Sequence, residues 1–398
     1  QSSLVLVYVP FLWVFFELLR TLGPFGNPAG TLGYALYQSN YLLQLASIFG
    51  VYGLSFILMS FMIFVFWIGY VLFLRPLDYR RALLNNIAYA FCSFLVLMGV
   101  SFYLKGDYEG YRLKSISTAI LQGNHDQQTK LTSQYWGHIQ KDYIDLLNKT
   151  NAELTLFPET VIPSSFSRYQ LLPSYLIQET QNDRSFLVGQ PFRLDHSQAF
   201  NSLILYEYPA ITQGVFPRYD KELLMPFGEY IPFRSLLMKV PGVSSLIQFG
   251  EFSFGDTSRS LLDVQGAKVG SSICLESVYT TPLLNQVQQG ADFLVVVANN
   301  AWFGGSSASL KHLQFSVLRA VENRRYLLHA SNTGPSAIIS PFGRFDQRSS
   351  FLKRDYLESE IFFGLPQSFY AKWRVAIMGV LMVLFLIVLS IDYRLFRQ

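Results

Sequence analysis

The sequence predicts an α/β domain joined to a bundle of transmembrane helices. Two observations lead there. Apolar residues collect in long charge-free runs near both ends of the chain, and the stretch between them alternates short β-branched segments with amphipathic ones. Composition agrees. Charged residues make up 15% of the 398 and aromatic residues 16%, against about 25% charged in an average soluble domain. This excludes a disordered chain and a disulfide-stapled mini-protein. The net charge of +4 is too small and too scattered for a nucleic-acid partner.

Val51–Leu74 and Ala82–Leu104 each run without a charge over the roughly 20 residues that a bilayer core demands. Residues 375–391 reach that length when Lys372, Trp373 and Arg374 snorkel at one interface. Residues 4–18 form a shorter run interrupted by Pro10, and the chain opens on Gln rather than Met. It therefore reads as starting inside a larger protein. The other reading, a signal peptide, conflicts with Glu17 and Arg20 where a small-residue cleavage site belongs. Residues 21–50 hold Gly23, Pro24, Gly26, Pro28, Gly30 and Gly33 and read as an external, turn-rich loop.

Arg75, Arg80 and Arg81 stand between two of these spans, and Arg394 and Arg397 close the chain. The positive-inside rule puts both clusters in the cytoplasm. The expected organisation is a transmembrane region over 1–104, an external domain over 105–369, and a last span with a cytoplasmic tail over 370–398.

Within the external domain, SISTAILQ, ELTLFPE, SFLVGQP, FNSLILYEY, KVGSSICLES, DFLVVVAN and SAIISPFGR read as strands. SQYWGHIQKDYIDLLNK and SASLKHLQFSVLRAVENRRYLLH have helical periodicity. Alternation of the two defines an α/β domain.

Three segments carry chemistry. Glu159 ends the strand segment LFPE, where a carboxylate at a strand terminus faces a ligand crevice and can serve as a general base; a surface glutamate is the bland reading. Lys221 precedes the Pro/Gly-shaped loop LLMPFGEY and is a candidate fixed cation for an oxyanion, set against a solvated lysine. Cys274 follows a strand. The other of the two cysteines, Cys92, falls in a predicted span, so Cys274 has no disulfide partner in view. It is either a working thiol or an inert packed one.

Together these segments resemble the carbon–nitrogen hydrolase (nitrilase) superfamily, with Glu, Lys and Cys in its chain order. The words YDKELLMPFGEYIP, NNAWFGGS, HLQFSVLRAVENRR, SNTGPSAIISPFG and FFELLRTLGPFGNPAGTLGYA narrow the resemblance to that superfamily's membrane branch, the apolipoprotein N-acyltransferase family, here N-terminally shortened. The resemblance implies an αββα sandwich as the external domain. It implies Cys274 as nucleophile and thioester carrier, Glu159 as base and Lys221 as oxyanion stabiliser. Glu229 and Glu276 become supporting acids that hold Lys221 or tune Glu159. Phe252, Phe254, Trp302 and Phe303 are candidates to cover a lipid chain, with ordinary core packing as the bland reading.

The implied reaction moves a fatty acyl chain from a phospholipid, phosphatidylethanolamine for preference, to the amine of a diacylglyceryl-modified apolipoprotein. It implies a bacterial inner membrane with the catalytic domain on the periplasmic side. No cofactor or metal is expected, the five histidines showing no paired ligand spacing, and a monomer is expected. Leu275, Asn300, His329, Met225 and residues 307–311 depart from the family's usual pattern. A membrane-tethered amidase or nitrilase acting on a small amide is the alternative, and a non-enzymatic membrane scaffold a further one.

Overall fold

A computed structural model describes residues 2–74, 79–106, 111–165, 170–195, 198–239, 242, 251–257, 261–377, 379–380, 383 and 386. The chain divides into two units: residues 1–109, 321–324 and 367–398, and residues 110–320 and 325–366.

In the first unit, α1 (Ser2–Leu19), α2 (Ala46–Leu74) and α3 (Tyr79–Leu104) are helices. Two helical stretches, Leu42–Phe73 and Ile87–Leu104, are long and apolar enough to cross a membrane, and Tyr8–Leu19 is a shorter apolar helix. Helix starts before the charge-free run at both places, so the backbone at Arg80 and Arg81 is already helical rather than a link. Arg75 lies outside the described residues, as does most of the expected span 375–391.

The turn-rich stretch is tied down by polar groups. The Glu17 carboxylate is 4% exposed and accepts from Trp13 Nε1 at 2.9 Å and from the Leu32 N–H at 2.7 Å. A buried carboxylate needs such donors to offset its lost hydration. Gly50, at φ 67°, breaks α2 in the left-handed region, and a Cβ there would meet the Tyr370 ring at 2.4 Å. The freed N–H of Val51 donates to Glu322 Oε1 at 2.7 Å. Arg324 donates to Gln44 Oε1, Ser47 Oγ and the Leu104 carbonyl at 2.8, 3.1 and 2.8 Å.

The second unit holds two six-stranded sheets. The first is formed by β1 (Lys114–Gln122), β2 (Leu154–Leu156), β3 (Ser185–Arg193), β4 (Ala199–Tyr206) and β5 (Arg218–Asp220). The second is formed by β6 (Leu261–Val264), β7 (Ala267–Ile273), β8 (Phe293–Ala298), β9 (Leu327–Ser331), β10 (Ala337–Ile339) and β11 (Phe345–Arg348). The chain then returns as β12 (Asp355–Phe363) to the first sheet. The orders are β12-β1-β2-β3-β4-β5 and β11-β10-β9-β8-β7-β6.

Each sheet has three parallel strands at its centre, β1–β2–β3 and β7–β8–β9, and antiparallel strands outside them. The sheets face one another through β1 with β9 and β4 with β7. Helices α4 (Gln127–Leu131), α5 (Trp136–Leu147) and α6 (Leu171–Glu179) follow the first parallel strands, α5 resting on β1 and on α6. The short α7 (Arg234–Leu237), then α8 (Thr281–Gln288), which rests on β7, and α9 (Ala308–Asn323) complete the helices described. This is the αββα sandwich that the resemblance implies.

All six residues of β8 are buried, as a strand covered on both faces requires. One expectation is corrected. The helical pattern read through His329 stops at Asn323. Arg324 adopts φ 52°, and Leu327–Ser331 becomes a fully buried central strand. Five buried residues beginning Leu327-Leu328 are too short a run for periodicity to separate a strand from the buried end of a helix.

Candidate functional site

In both sheets the chemistry-bearing residues stand at strand carboxyl ends. Lys221 follows β5, Cys274 follows β7, Asn299 follows β8, and Glu159 lies three residues beyond β2. That is where α/β sheets open toward ligands.

The Glu159 segment is drawn across β3. The Phe157 and Val161 N–H groups donate to the Leu187 and Gly189 carbonyls at 2.8 Å each. Gly189 is required, since a Cβ there would lie 2.4 Å from the Pro158 carbonyl oxygen and 2.7 Å from Glu159 Cα. Thr160 takes φ 51°, an uncommon conformation for a β-branched residue that costs about 1–3 kcal/mol. Both Glu159 oxygens are engaged. Oε1 accepts from Asn201 Nδ2 at 2.9 Å and lies 3.6 Å from Lys221 Nζ, and Oε2 accepts from the Asn299 N–H at 2.9 Å.

Lys221 is 2% exposed. Its N–H donates to the Asn201 carbonyl at 2.9 Å, and Nζ stands 2.9 Å from both oxygens of Glu229. Burial by itself would push the ammonium down. Glu229 and Glu159 overcome it and hold the group above the ordinary lysine range. Glu229 also accepts from Asn201 Nδ2 at 2.7 Å and from the Met225 N–H at 2.7 Å. Asn201 thus bridges the two carboxylates.

Cys274 takes φ 54° at the end of β7 and starts the 3-10 turn Cys274–Val278. Its carbonyl accepts from Ser277 Oγ and faces His312 Nε2, each at 3.0 Å. These contacts hold a backbone conformation that L-residues avoid. The thiol lies within reach of the charges of Glu159, Lys221 and Glu229. Burial, then the charges of Glu159 and Glu229, push it well above the usual thiol range, and Lys221 opposes them. The resting group is a neutral thiol; a thiol in that state becomes a nucleophile only where a base takes its proton.

Glu276 does not touch Lys221 or Glu159. It is fully buried and accepts from the Glu222, Leu223 and Ile273 N–H groups at 2.6, 2.9 and 2.6 Å and from the Tyr219 hydroxyl at 3.0 Å. It clamps the cysteine turn to the lysine loop. Burial pushes its carboxyl up to about 7, with Lys221 and the three N–H groups pulling down.

Of the four aromatic candidates, Phe254, Trp302 and Phe303 are exposed and Phe252 is half-buried. The Phe252 N–H donates to the Glu229 carbonyl at 2.8 Å, and Phe254 packs edge-on against Tyr230 with ring centroids 5.1 Å apart.

Asn201, Asn299, Lys130 and His312 also gather here, and none of them carries a functional signal in the sequence. His312 faces Asn300 Oδ1, Ser277 Oγ and the Cys274 carbonyl. Burial pushes it down to about 4, so it is neutral at ordinary pH. Nothing in sequence alone marks a buried asparagine in a strand as a bridge between carboxylates. Among the described residues, no group of three or more His, Cys, Asp or Glu is arranged to hold a metal ion.

Comparison with known proteins adds two family matches. The Carbon-nitrogen hydrolase family profile matches residues 117–363. The Apolipoprotein N-acyltransferase N-terminal domain profile matches residues 2–64. The apolipoprotein N-acyltransferase of Geobacter metallireducens is 32% identical, over 93% of this chain and 70% of its own length. Those of Methylococcus capsulatus and Nitrosomonas europaea are each 31% identical, over 85% and 84% of this chain. The chain spans 64% of the length of each of these two relatives.

Proposed function

Since the chain belongs to the apolipoprotein N-acyltransferase family, within the carbon–nitrogen hydrolases, we propose that it moves a fatty acyl chain from a phospholipid to the N-terminal amine of a diacylglyceryl-cysteine through a thioester on Cys274. One observation carries the reading. The Glu159 carboxylate lies 3.6 Å from the Lys221 ammonium, and the charges of both bear on the Cys274 thiol.

In the first half-reaction Glu159 takes the thiol proton as Sγ bonds to the ester carbonyl carbon. The negative charge moves to the carbonyl oxygen, beside Lys221. Collapse breaks the ester C–O bond, and Glu159 returns the proton to the departing lysophospholipid oxygen. In the second, Glu159 takes a proton from the incoming amine as its nitrogen attacks the thioester. The C–S bond breaks, the amide forms, and the proton passes back to Cys274. Glu229 holds Lys221 in place throughout. Glu276 keeps the cysteine turn and the lysine loop in register.

A lipid donor and a lipidated acceptor account for membrane helices in the same chain as such a site. Extracting either chain into water costs about 0.8 kcal/mol per CH₂. We place Leu42–Phe73 and Ile87–Leu104 across a bacterial inner membrane, with Arg80 and Arg81 on its cytoplasmic side and the catalytic unit in the periplasm. The last span crosses back over residues 375–391, and the protein acts as a monomer. Phosphatidylethanolamine is the preferred donor. The exposed rings of Phe254, Trp302 and Phe303, with Phe252, cover the acyl chain and keep water from the thioester.

The test supplies phosphatidylethanolamine and a synthetic diacylglyceryl-cysteine peptide to the purified chain. N-acylated peptide is the expected product, and Cys274→Ala gives none. Hydrolysis of short soluble amides, with no lipid transfer under any condition, would replace this reading with the small-amide hydrolase.

A further inference from the structure

A second lysine is buried against the base. Lys130 sits on α4, whose N-terminus is capped by Asp126 accepting from the Thr129 N–H at 2.9 Å. It is 2% exposed. Its Nζ donates to Asn299 Oδ1 at 2.8 Å and to the main-chain carbonyl of Glu159 at 3.3 Å. Both acceptors are neutral oxygens, and Glu159 is the carboxylate that supports its charge. Burial pushes the amine down to about 7, with Glu159 opposing. An amine that only filled space would give way to an apolar side chain at no desolvation cost. This one contacts two groups that fix the base.

Asn299 is itself locked. Its Oδ1 also accepts from Asn332 Nδ2 at 3.0 Å, its Nδ2 donates to Gln127 Oε1 at 2.8 Å, and its N–H donates to Glu159 Oε2. Lys130 therefore sets the main chain of Glu159 directly and its carboxylate through Asn299. Charge points the same way. Glu159 and Glu229 are two buried carboxylates, and Lys221 is shared unequally between them, at 3.6 and 2.9 Å.

We propose that Lys130 is a positioning residue for the acyl transfer: it anchors the main chain of Glu159 and, through Asn299, its carboxylate, and its ammonium form places a second buried cation beside that base. The inference rests on Glu159 acting as the base. The groups facing Glu159 are Lys130 from α4, Asn201 from β4, and Lys221, Cys274 and Asn299 from the ends of β5, β7 and β8. Glu229 reaches it through Asn201, and His125, ahead of α4, is pushed down to about 4 by burial.

The experiment follows formation of acyl-Cys274 by rapid quench and intact-mass analysis, using the full chain in detergent with phosphatidylethanolamine, from about pH 5 to about pH 9. Lys130→Met is expected to acylate about ten-fold more slowly at neutral pH. Its dependence on phospholipid concentration stays unchanged, and the acid limb of its rate profile moves to higher pH. Lys130→Arg keeps the limb where it is. If Lys130→Met does not fold, Lys130→Gln, which keeps a donor without the charge, gives the same readout. An unchanged profile in the uncharged variant, or a uniform slowing with an unmoved acid limb, overturns the proposal. Glu159→Gln is the control. If it acylates normally, the reading of Glu159 as base fails. If it is inactive while Lys130→Met is normal, the role of Lys130 alone fails.

Discussion

Lys221 and Glu229 form a buried ion pair in which one nitrogen stands 2.9 Å from both carboxylate oxygens. Such pairs are costly to break one side at a time, by about 3–5 kcal/mol, because the survivor is left charged and dry. Lys221→Met is therefore expected to destabilise the second unit and abolish acyl-enzyme formation. Glu229→Gln should destabilise it less, since Glu159 still faces Lys221 and the glutamine oxygen can accept from one of the two donors, Asn201 Nδ2 or the Met225 N–H. The Lys221→Met/Glu229→Gln double variant should melt above the sum of the two single losses. A double-mutant cycle by thermal unfolding checks this; additive losses would mean that the pair is uncoupled.

Glu159→Gln keeps the shape of the base and removes its proton affinity. Removal of a general base slows its step by about 10²–10⁴-fold. Both half-reactions should slow together, because the same carboxylate serves each. Single-turnover rates of Cys274 acylation, and of amine transfer from enzyme acylated beforehand, separate the two. A variant slowed in only one half-step would point to a second base.

Gly189→Ala places a Cβ 2.4 Å from the Pro158 carbonyl oxygen. Neither backbone can yield, since Val161 and Phe157 are hydrogen-bonded to β3 on either side. The expected cost is about 3 kcal/mol or more, with acylation lost even where the protein still folds. Thermal unfolding and adduct formation on the same sample test this. An active, stable alanine variant would contradict the placement of the Glu159 segment.

Acid should destabilise the second unit. Burial pushes His125 and His312 down to about 4 and His329 well below the ordinary imidazole range. The unfolded chain therefore binds more protons as pH falls below about 6.5, which costs about 3 kcal/mol for each of His125 and His312 by pH 4. Glu276, pushed up to about 7 by burial, acts in the opposite sense between 7 and its unfolded value, but three histidines outweigh one carboxyl. Melting temperature should fall between pH 6.5 and 4, and His329→Gln should flatten the slope. A flat profile would show that these rings are charged in the folded protein.

Much of this architecture is written locally. LFPE and SSICLE place Glu159 and Cys274 beyond short apolar strands bounded by turns, and YDKELLMPFGEY puts Lys221 and Glu229 together on one Pro/Gly-shaped loop. What escaped the sequence depends on distant pairing. β9 hid inside a helical pattern because its five residues, LLHAS, are too few to show a period of two against the helix before them. β5, β6 and β11 are three or four residues long, too short for any period to register. Glu276 read as a charge aimed at Lys221, whereas its oxygens are spent on the backbone of two loops 50 positions apart in sequence. Lys130 on a one-turn helix and Asn201 in a strand acquire meaning only where Glu159 is folded against them.

The most direct measurement is intact-protein mass spectrometry of the detergent-purified chain mixed with phosphatidylethanolamine and no acceptor. The account predicts one fatty-acyl adduct that maps to Cys274, is released by hydroxylamine, and is absent in Cys274→Ala. A folded protein that forms no adduct, or forms one that survives Cys274→Ala, would contradict it.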